Sequence, residues 1–574
     1  MIATNYLIQK IFEHRGYTPE YLYEIEDPTY GSLKDIDTLA VELKDIHDRG
    51  DKLVVYPDFD MDGVSAGSCG FAGFAELGFN VGLYIPDPTK GYGIKPSSID
   101  DVLQQHPDVK SIITCDTGID CTDAAVYAKK HGIRFFVTDH HKQKSSTMPA
   151  DVIVDPMRTD EAYTHPMICG AFVMYQVLQC YADLYCNSFM QDQIRRLRVF
   201  AGFGTVSDTM PLLYENRQLV RDAVDICRLV YGDGSKNAVS HIPGCDIYRR
   251  AFWGIYEMLK VYEDRGTISD QSSITEEFFG FYLAPAVNSV KRMDGNLTEA
   301  FSVFFGNDRT SSMEYLCGLN DERKIVVASA IQAIQSMDQP YAPYIYYADA
   351  NSGILGLVAQ KLEAVSGVPT FVMTLDPNTN TYTGSGRAPA WYPCISRLGD
   401  KMFIAGHEGA FGCGIDTNEQ LKSVFDFLSV DVPATMSSAD IHEEDADYTI
   451  ATDMTGDIGI DIAVFEDYLQ QIETYRPFGK GFPMPVGKLV FHNSDVVAGI
   501  AGAKKKTTGW DLMGSAKQHL KIHLPNGFDV VCWNQAHLVT QKDSFDTHTV
   551  IGTLRVNEFR GVRSIIFDGT LVEQ

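Results

Sequence analysis

The sequence predicts an α/β protein: a parallel-sheet domain, linking helices, a second mixed α/β domain and a small C-terminal β-barrel such as an OB-fold. Three observations carry this. Apolar strand-like runs alternate with helical patterns from about residue 51 to 155, the signature of a parallel sheet. A mainly helical stretch follows, from about 167 to 265. Beyond residue 448, short strand-like runs are separated by turn residues. At 574 residues the chain is too long for one core. It divides on this reading into residues 1–50, 51–215, 216–270, 271–430 and 445–574.

Residues 1–50 read as short helices, with apolar residues at helical spacing across Thr38–Leu43. Leu53–Tyr56 is a buried strand, and residues 64–77 form a helix rich in small residues. Val81–Ile85, Ser111–Thr114, Arg134–Val137 and Val152–Val154 are the next strands. In the second mixed domain, strands are expected at Ala342–Tyr347 and Thr370–Met373, around a helix over 354–365. Residues 431–447, rich in Asp, Glu, Ser and Ala, read as a solvated connection. The barrel strands are Lys488–Phe491, His519–Leu524, Asp529–Trp533 and Val550–Leu554.

Composition narrows the class. Hydrophobic residues at 45% and charged residues at 22% are ordinary for a soluble globular protein. No run approaches ~20 uninterrupted apolar residues, so no membrane span or membrane partner is expected. Met1–Tyr6 lacks the basic and apolar regions of a signal peptide. The twelve cysteines form no CxxC pair, which points to reduced thiols of a cytoplasmic protein and away from zinc or disulfides. The net charge of −28 alone argues against a nucleic-acid partner. It is a weak guide, because bound divalent metal would neutralise part of the acid and a local basic groove survives in an acidic protein.

The chemistry concentrates at strand ends. Asp58, Asp60 and Asp62 alternate after the first strand and precede Gly63. In extended geometry, residues i and i+2 share a face. Read alone, this is as well a solvated acidic turn capping the next helix, and it lacks the final Glu of an EF-hand loop. Asp116 follows another strand and precedes Thr117-Gly118; alone it is a helix cap. Asp139, His140 and His141 follow a third. Their joint occurrence changes the weighting, because a parallel sheet brings its carboxyl ends to one edge, where α/β proteins place ligands. Carboxylates with one or two imidazoles suit Mn²⁺ or Mg²⁺.

These segments resemble the motifs of the DHH phosphoesterase superfamily: Asp58-Phe59-Asp60-Met61-Asp62-Gly63, Cys115-Asp116-Thr117-Gly118 and Asp139-His140-His141. Gly204–Leu212 resembles the fourth motif, which promotes Asp208 from a helix cap to a metal ligand. Further segments are similar to the RecJ-type exonucleases of that superfamily. They are Lys90-Gly91-Tyr92-Gly93, Cys169-Gly170-Ala171, Glu215-Asn216-Arg217 and Asn288-Ser289-Val290-Lys291-Arg292, where the family reads Asn-Ala-Ala-Gly-Arg. Gly384–Arg387 and Gly406–Gly412 look like substrate motifs of the DHHA1 domain, and Arg476–Pro485 like the signature ahead of the OB-fold. The resemblance makes 51–215 a DHH catalytic domain, 271–430 a DHHA1 domain and 445–574 an OB-fold.

The chain departs from the pattern in places. The family's arginine before Gly-Tyr-Gly, implicated in holding a 5′ phosphate, is missing, and Lys90 is the substitute charge at hand. Asn351-Ser352-Gly353 replaces the His-x-Gly that opens DHHA1, and Phe482 and Met484 replace Asn and Glu in the signature.

The resemblance implies a phosphodiester hydrolase with two divalent ions, Mn²⁺ or Mg²⁺, which would polarise the phosphoryl group, activate a water and stabilise the leaving oxygen. Asp60, Asp62, Asp116, His140 and Asp208 are the expected ligands. Asp58 joins them or acts behind them, Asp139 orients an imidazole, and His141 contacts the scissile phosphate or assists proton transfer. Lys90, Asn288, Arg292, Ser385, Arg387, Gly406 and His407 are expected to hold substrate. Trp510, near Lys504–Lys506, Lys517, His519 and Lys521, is expected to stack bases, against the reading of a core tryptophan beside a solvated hairpin tip.

The expected activity is 5′→3′ exonucleolytic release of nucleotides from single-stranded DNA in repair, recombination or replication. The expected setting is a monomer with a single-strand-binding protein or helicase as partner. Two other readings stand beside it: a phosphodiesterase of short oligonucleotides or cyclic dinucleotides, and a non-catalytic replication scaffold. The C-terminal barrel disfavours the first and the complete set of metal-capable residues the second.

Overall fold

The computed structural model describes residues 5–18, 33–87, 90–91, 93–143, 148–376, 379, 381–438, 446–452, 458–498, 508–514, 517–541, 544–559 and 562–572. They belong to two compact units. One comprises Asp27–Met210 with Glu215–Ile441, the other Met1–Glu26, Pro211–Tyr214 and His442–Gln574.

The larger unit begins with five strands: β1 (Lys52–Pro57), β2 (Val81–Leu83), β3 (Val109–Cys115), β4 (Arg134–Thr138) and β5 (Val152–Val154). They form a fully parallel sheet in the order β2-β1-β3-β4-β5. Strand periodicity sorts its side chains between two cores. Leu53, Val55, Ile113 and Phe136 pack with the helices Ile36–Arg49, Met61–Glu76 and Gly170–Tyr185. Val54, Tyr56, Ile112, Phe135 and Val137 face Ile99, Val102, Ala124 and Ala128 of the helices Pro96–Gln105 and Thr122–Lys130. Burial on both faces explains why these strands read as continuous apolar runs. A helical stretch then runs from Gly170 to Ser336, ending in the 28-residue helix Arg309–Ser336. It is longer than the predicted 167–265 because Ala284–Arg292, Leu297–Phe305 and Arg309–Ser336 are helices too, the last burying Met313, Leu316, Val327 and Ile334.

The second sheet of this unit comprises β6 (Ile345–Tyr347), β7 (Thr370–Asp376), β8 (Thr381–Arg387), β9 (Phe403–His407) and β10 (Ala410–Ile415), in the order β6-β7-β8-β10-β9. Helix Ser352–Ser366 packs on β7 and β8 through Ile354, Leu355 and Val358 against Val372. Residues 431–438, read as a connection, instead finish the helix Asn418–Ser438. Leu421, Val424, Leu428 and Val432 are buried at helical spacing, and that packing carries the helix past Pro433.

The smaller unit holds one seven-stranded sheet. Its strands are β11 (Tyr448–Ala451), β12 (Gly487–His492), β13 (Trp510–Met513), β14 (His519–His523), β15 (Asp529–Cys532), β16 (Thr547–Phe559) and β17 (Val562–Val572). The order is β11-β12-β16-β17-β15-β14-β13, and among the described residues no pairing joins the two edges. The residues expected as one N-terminal segment part company. Ile36–Arg49 packs in the larger unit, whereas Leu7, Ile8, Ile11 and Phe12 of helix Tyr6–Arg15 enter the core of the smaller one. Arg15 there makes a two-pronged ion pair with Asp447 at 2.6 and 2.8 Å.

Candidate metal centre

The carboxyl ends of β1, β3 and β4 lie side by side, Pro57 opposite Cys115 and Cys115 opposite Thr138. Asp58, Asp116 and Asp139 therefore emerge in a row. The ladder runs one residue past each strand: Asp58 N donates to the Cys115 carbonyl, Asp116 N to that of Thr138 and Asp139 N to that of Val154, at 3.0–3.2 Å. Asp116 holds a left-handed backbone at φ 62°, a strained conformation for a non-glycine residue that surrounding structure must enforce.

Asp60 caps helix Met61–Glu76, its Oδ1 accepting from Asp62 N and Gly63 N at 3.0 and 3.1 Å. Asp62, in the first turn of that helix, is 2% exposed; its two oxygens accept from Gly170 N and Ala171 N at 2.7 and 3.0 Å. The first turn of helix Gly170–Tyr185 thus binds this carboxylate as an anion. Asp208 ends helix Arg198–Ser207 with its side chain partly exposed. His140 Nε2 lies 3.0 Å from Asp116 Oδ1 and 3.7 Å from oxygens of both Asp62 and Asp208.

Ligand-capable atoms fall into three sets, each within 4.8 Å: Asp58, Asp60 and Asp116; Asp62, His140 and Asp208; Asp116, His140 and His141. Two carboxylates about 5 Å apart repel by roughly 3 kcal/mol at an effective dielectric of ~20. The sites respond accordingly. Burial, then the Asp60 charge, push Asp58 up to about 8. Burial and the Asp62 charge push Asp208 up to about 7. Asp62 and Asp116 also rise, burial leading in both. Such a cluster either takes up protons or holds cations. One atom favours cations: Asp116 Oδ1 is buried and accepts no hydrogen bond, although an imidazole nitrogen is 3.0 Å away. Oxygen-rich sets with one imidazole fit Mn²⁺ or Mg²⁺.

Asp139 is 1% exposed. It orients His141, not the buried His140: its Oδ1 accepts from His141 Nδ1 at 2.7 Å and its Oδ2 from Ile119 N at 2.9 Å. That hydrogen bond raises His141 to about 9. Burial by itself would raise Asp139, but the His141 hydrogen bond and both imidazoles hold it below its ordinary value.

Two glycines shape the cradle. A Cβ on Gly170 would lie 2.4–2.7 Å from Asp116, and one on Gly204 only 2.1 Å from Asp62 Oδ1. Their motifs are visible in the sequence; their role needs the helix packing.

The expected substrate residues divide. Asn288 Oδ1 accepts from Met61 N at 2.8 Å, so Asn288 steadies the metal-binding turn. Arg292 has no hydrogen bond or ion pair among the described residues; burial, with repulsion from Arg323 and Arg387, lowers it to about 10. Arg323, which the sequence reading passed over, makes this a cluster of three guanidinium groups. Ser385 and Arg387 lie on one face of β8, and Arg387 stands opposite Ala410, which stands opposite His407. Gly406 and His407 line a groove of about 1100 Å³ with Asp139, His141 and Thr117. Lys90 does not stand ready for a phosphate: its ammonium pairs with Asp101 at 2.6 Å. Trp510 is not a stacking surface. It is 6% exposed and packs against Phe491 and His548 in the core. Lys504–Lys506 lies outside the described residues.

The family model described as "DHH family, N-terminal domain" matches residues 52–198, and that described as "RecJ OB domain" matches residues 460–568. The chain thus carries a match to the DHH N-terminal domain and a match to the RecJ OB domain, in that order. Among RecJ proteins it is 24% identical over 540 residues to the "Single-stranded-DNA-specific exonuclease RecJ" of Bacillus subtilis (strain 168), covering 92% of this chain and 62% of the relative. It is 23% identical to the protein of that name from Haemophilus influenzae, covering 90% and 86%. The fold is similar to that of RecJ in complex with Mn²⁺ from Thermus thermophilus. The TM-score is 0.70 at 18% identity, over all of this chain and 76% of the other. The chain thus spans under two thirds of the B. subtilis RecJ.

Proposed function

We propose that this chain is a divalent-metal-dependent 5′→3′ exonuclease that hydrolyses single-stranded DNA to nucleotides. The observation that carries it is the buried Asp116 oxygen, unbonded 3.0 Å from His140 within a cluster of carboxylates too close to ionise together. Asp58, Asp60 and Asp116 would hold one ion, and Asp62, His140 and Asp208 the other. Bound there, the ions supply polarisation of the phosphoryl oxygen and charge for the leaving group.

The chain's own residues do the rest. His141, kept protonated by Asp139, makes no hydrogen bond through Nε2 among the described residues and lines the groove. It would donate from Nε2 to a phosphate oxygen of the bound strand, or to the leaving oxygen. Arg292, Arg323 and Arg387 form a cationic wall that suits a phosphate chain. The groove, about 1100 Å³ and open to solvent, has room for several nucleotides' worth of chain contact. The relatives' shared name, single-stranded-DNA-specific exonuclease, agrees with this reading.

The setting this implies is a monomer in the cytoplasm acting with a single-strand-binding protein or helicase. Among the described residues no helix is long and apolar enough to cross a membrane. The test uses 5′-labelled single strands and dinucleotides, each with and without Mn²⁺. Labelled mononucleotide released from strands only with Mn²⁺ is the expected result. Release from dinucleotides alone, or none at all, overturns it.

A further inference from the structure

Lys291 lies in the motif Asn288–Arg292, at the end of helix Ala284–Arg292. The sequences this motif resembles carry glycine there, so the cation is this chain's own. Asn288 and Lys291 are three residues apart and share a helix face. Asn288 grips Met61 N at 2.8 Å. Lys291 reaches the same acidic turn: its Nζ lies over the Phe59 ring, 4.4 Å from the centroid. Phe59 is 5% exposed, between Asp58 and Asp60, while Lys291 is exposed. The ring face attracts the ammonium, and the stem covers the ring. The positive charge bears on Asp58, which belongs to the set with Asp60 and Asp116.

We propose that Lys291 is a substrate-positioning residue whose ammonium, parked on Phe59 at the rim of the carboxylate cluster, binds a phosphate of the strand next to the bond that is cut. The inference rests on the exonuclease reading. Lysine suits the task, being a compact charge on a flexible stem that follows a moving backbone phosphate. A rim position also leaves the carboxylates to the ions.

The experiment measures strand affinity without turnover. A 5′-phosphorylated single-stranded oligodeoxynucleotide with a 3′ fluorophore is bound to the full chain in Ca²⁺, across a salt series, and Mn²⁺ affinity is measured separately by calorimetry. Lys291→Met is expected to weaken strand binding about tenfold at low salt and to flatten the log–log salt dependence by about 0.7. Its Mn²⁺ affinity should stay within about twofold, and Lys291→Arg should regain most of the loss. Unchanged strand affinity and salt slope in Lys291→Met overturns the proposal. So does a change confined to Mn²⁺ affinity, which would make Lys291 a mere counter-charge to Asp58. An arginine variant as weak as the methionine one also overturns it. If the wild type binds the strand but releases no nucleotide in Mn²⁺, the exonuclease reading fails while the Lys291 comparison still stands; a wild type that binds no strand removes both.

Discussion

Asp116 Oδ1 and His140 Nε2 are 3.0 Å apart, yet the carboxylate oxygen accepts no hydrogen bond. A buried oxygen normally finds a donor, and leaving one unmade costs about 1–3 kcal/mol. The pair is arranged for a third body between or beside the two atoms. Asp116→Asn should abolish Mn²⁺ binding at one position and cut nucleotide release by at least about a hundredfold, while the metal-free variant melts no lower than wild type because a buried charge has gone. Calorimetric Mn²⁺ titration and thermal melts check both halves.

Asp58 rises to about 8 from an ordinary value of 3.8. The sign follows from linkage. A raised carboxyl favours the folded state when protonated, so this contribution is complete below pH 3.8 and is lost as pH climbs through about 8. Mn²⁺ needs the ionised form, and its binding releases those protons. The melting-temperature gain on adding Mn²⁺ should therefore grow steadily between pH 6 and 8.5. A gain that shrinks over that window would contradict the assignment of Asp58 to the ion-holding set.

The Asp139–His141 contact at 2.7 Å holds His141 near 9. Asp139→Asn should drop His141 toward the ordinary histidine range near 6.5, followed by its ring-proton NMR titration. At pH 8 the imidazole would then be largely neutral, and turnover should fall about a hundredfold, with less effect on KM.

Gly204→Ala places a Cβ 2.1 Å from Asp62 Oδ1. Either the carboxylate turns from the Gly170 and Ala171 amides or helix Arg198–Ser207 shifts. Overpacking of this kind costs about 1–3 kcal/mol. The expected outcome is a folded protein with at least about tenfold weaker Mn²⁺ binding, read by denaturant melts and calorimetry.

Much of this centre is legible in the sequence because each part is local. Strands Leu53–Tyr56, Ser111–Thr114 and Arg134–Val137 announce themselves as mostly apolar runs, and an aspartate stands two residues past each one. What the sequence hides is tertiary. Lys90 looks available until Asp101, eleven residues on, takes its charge. Trp510 looks like a binding aromatic until its strand turns it into the core. Strands β8, β9 and β10 carry Gly384, Gly386, Gly406, Gly412 and Gly414, a composition with little strand preference of its own; pairing with neighbours makes them a sheet. Asp139 was expected beside a metal-held imidazole. Its geometry serves His141 because His140 N and His141 N both converge on Oδ1, which turns the second ring back toward it.

Arg15 and Asp447, buried together, tie Tyr6–Arg15 to the C-terminal sheet. Removing one member of such a pair strands the other; Arg15→Ala should cost the smaller unit about 3–5 kcal/mol in denaturant melts.

That tie also fixes a waiting time. Arg15 leaves the ribosome 432 residues ahead of Asp447. At roughly 5–20 residues per second, the helix is kept from its partner for about 20 to 90 seconds. Its apolar stripe, Leu7, Ile8, Ile11 and Phe12, is uncovered throughout, while the whole larger unit is made and free to fold. The nascent chain thus carries its own unfinished seam, and anything that binds such a stripe in the interval sets how much of the product matures.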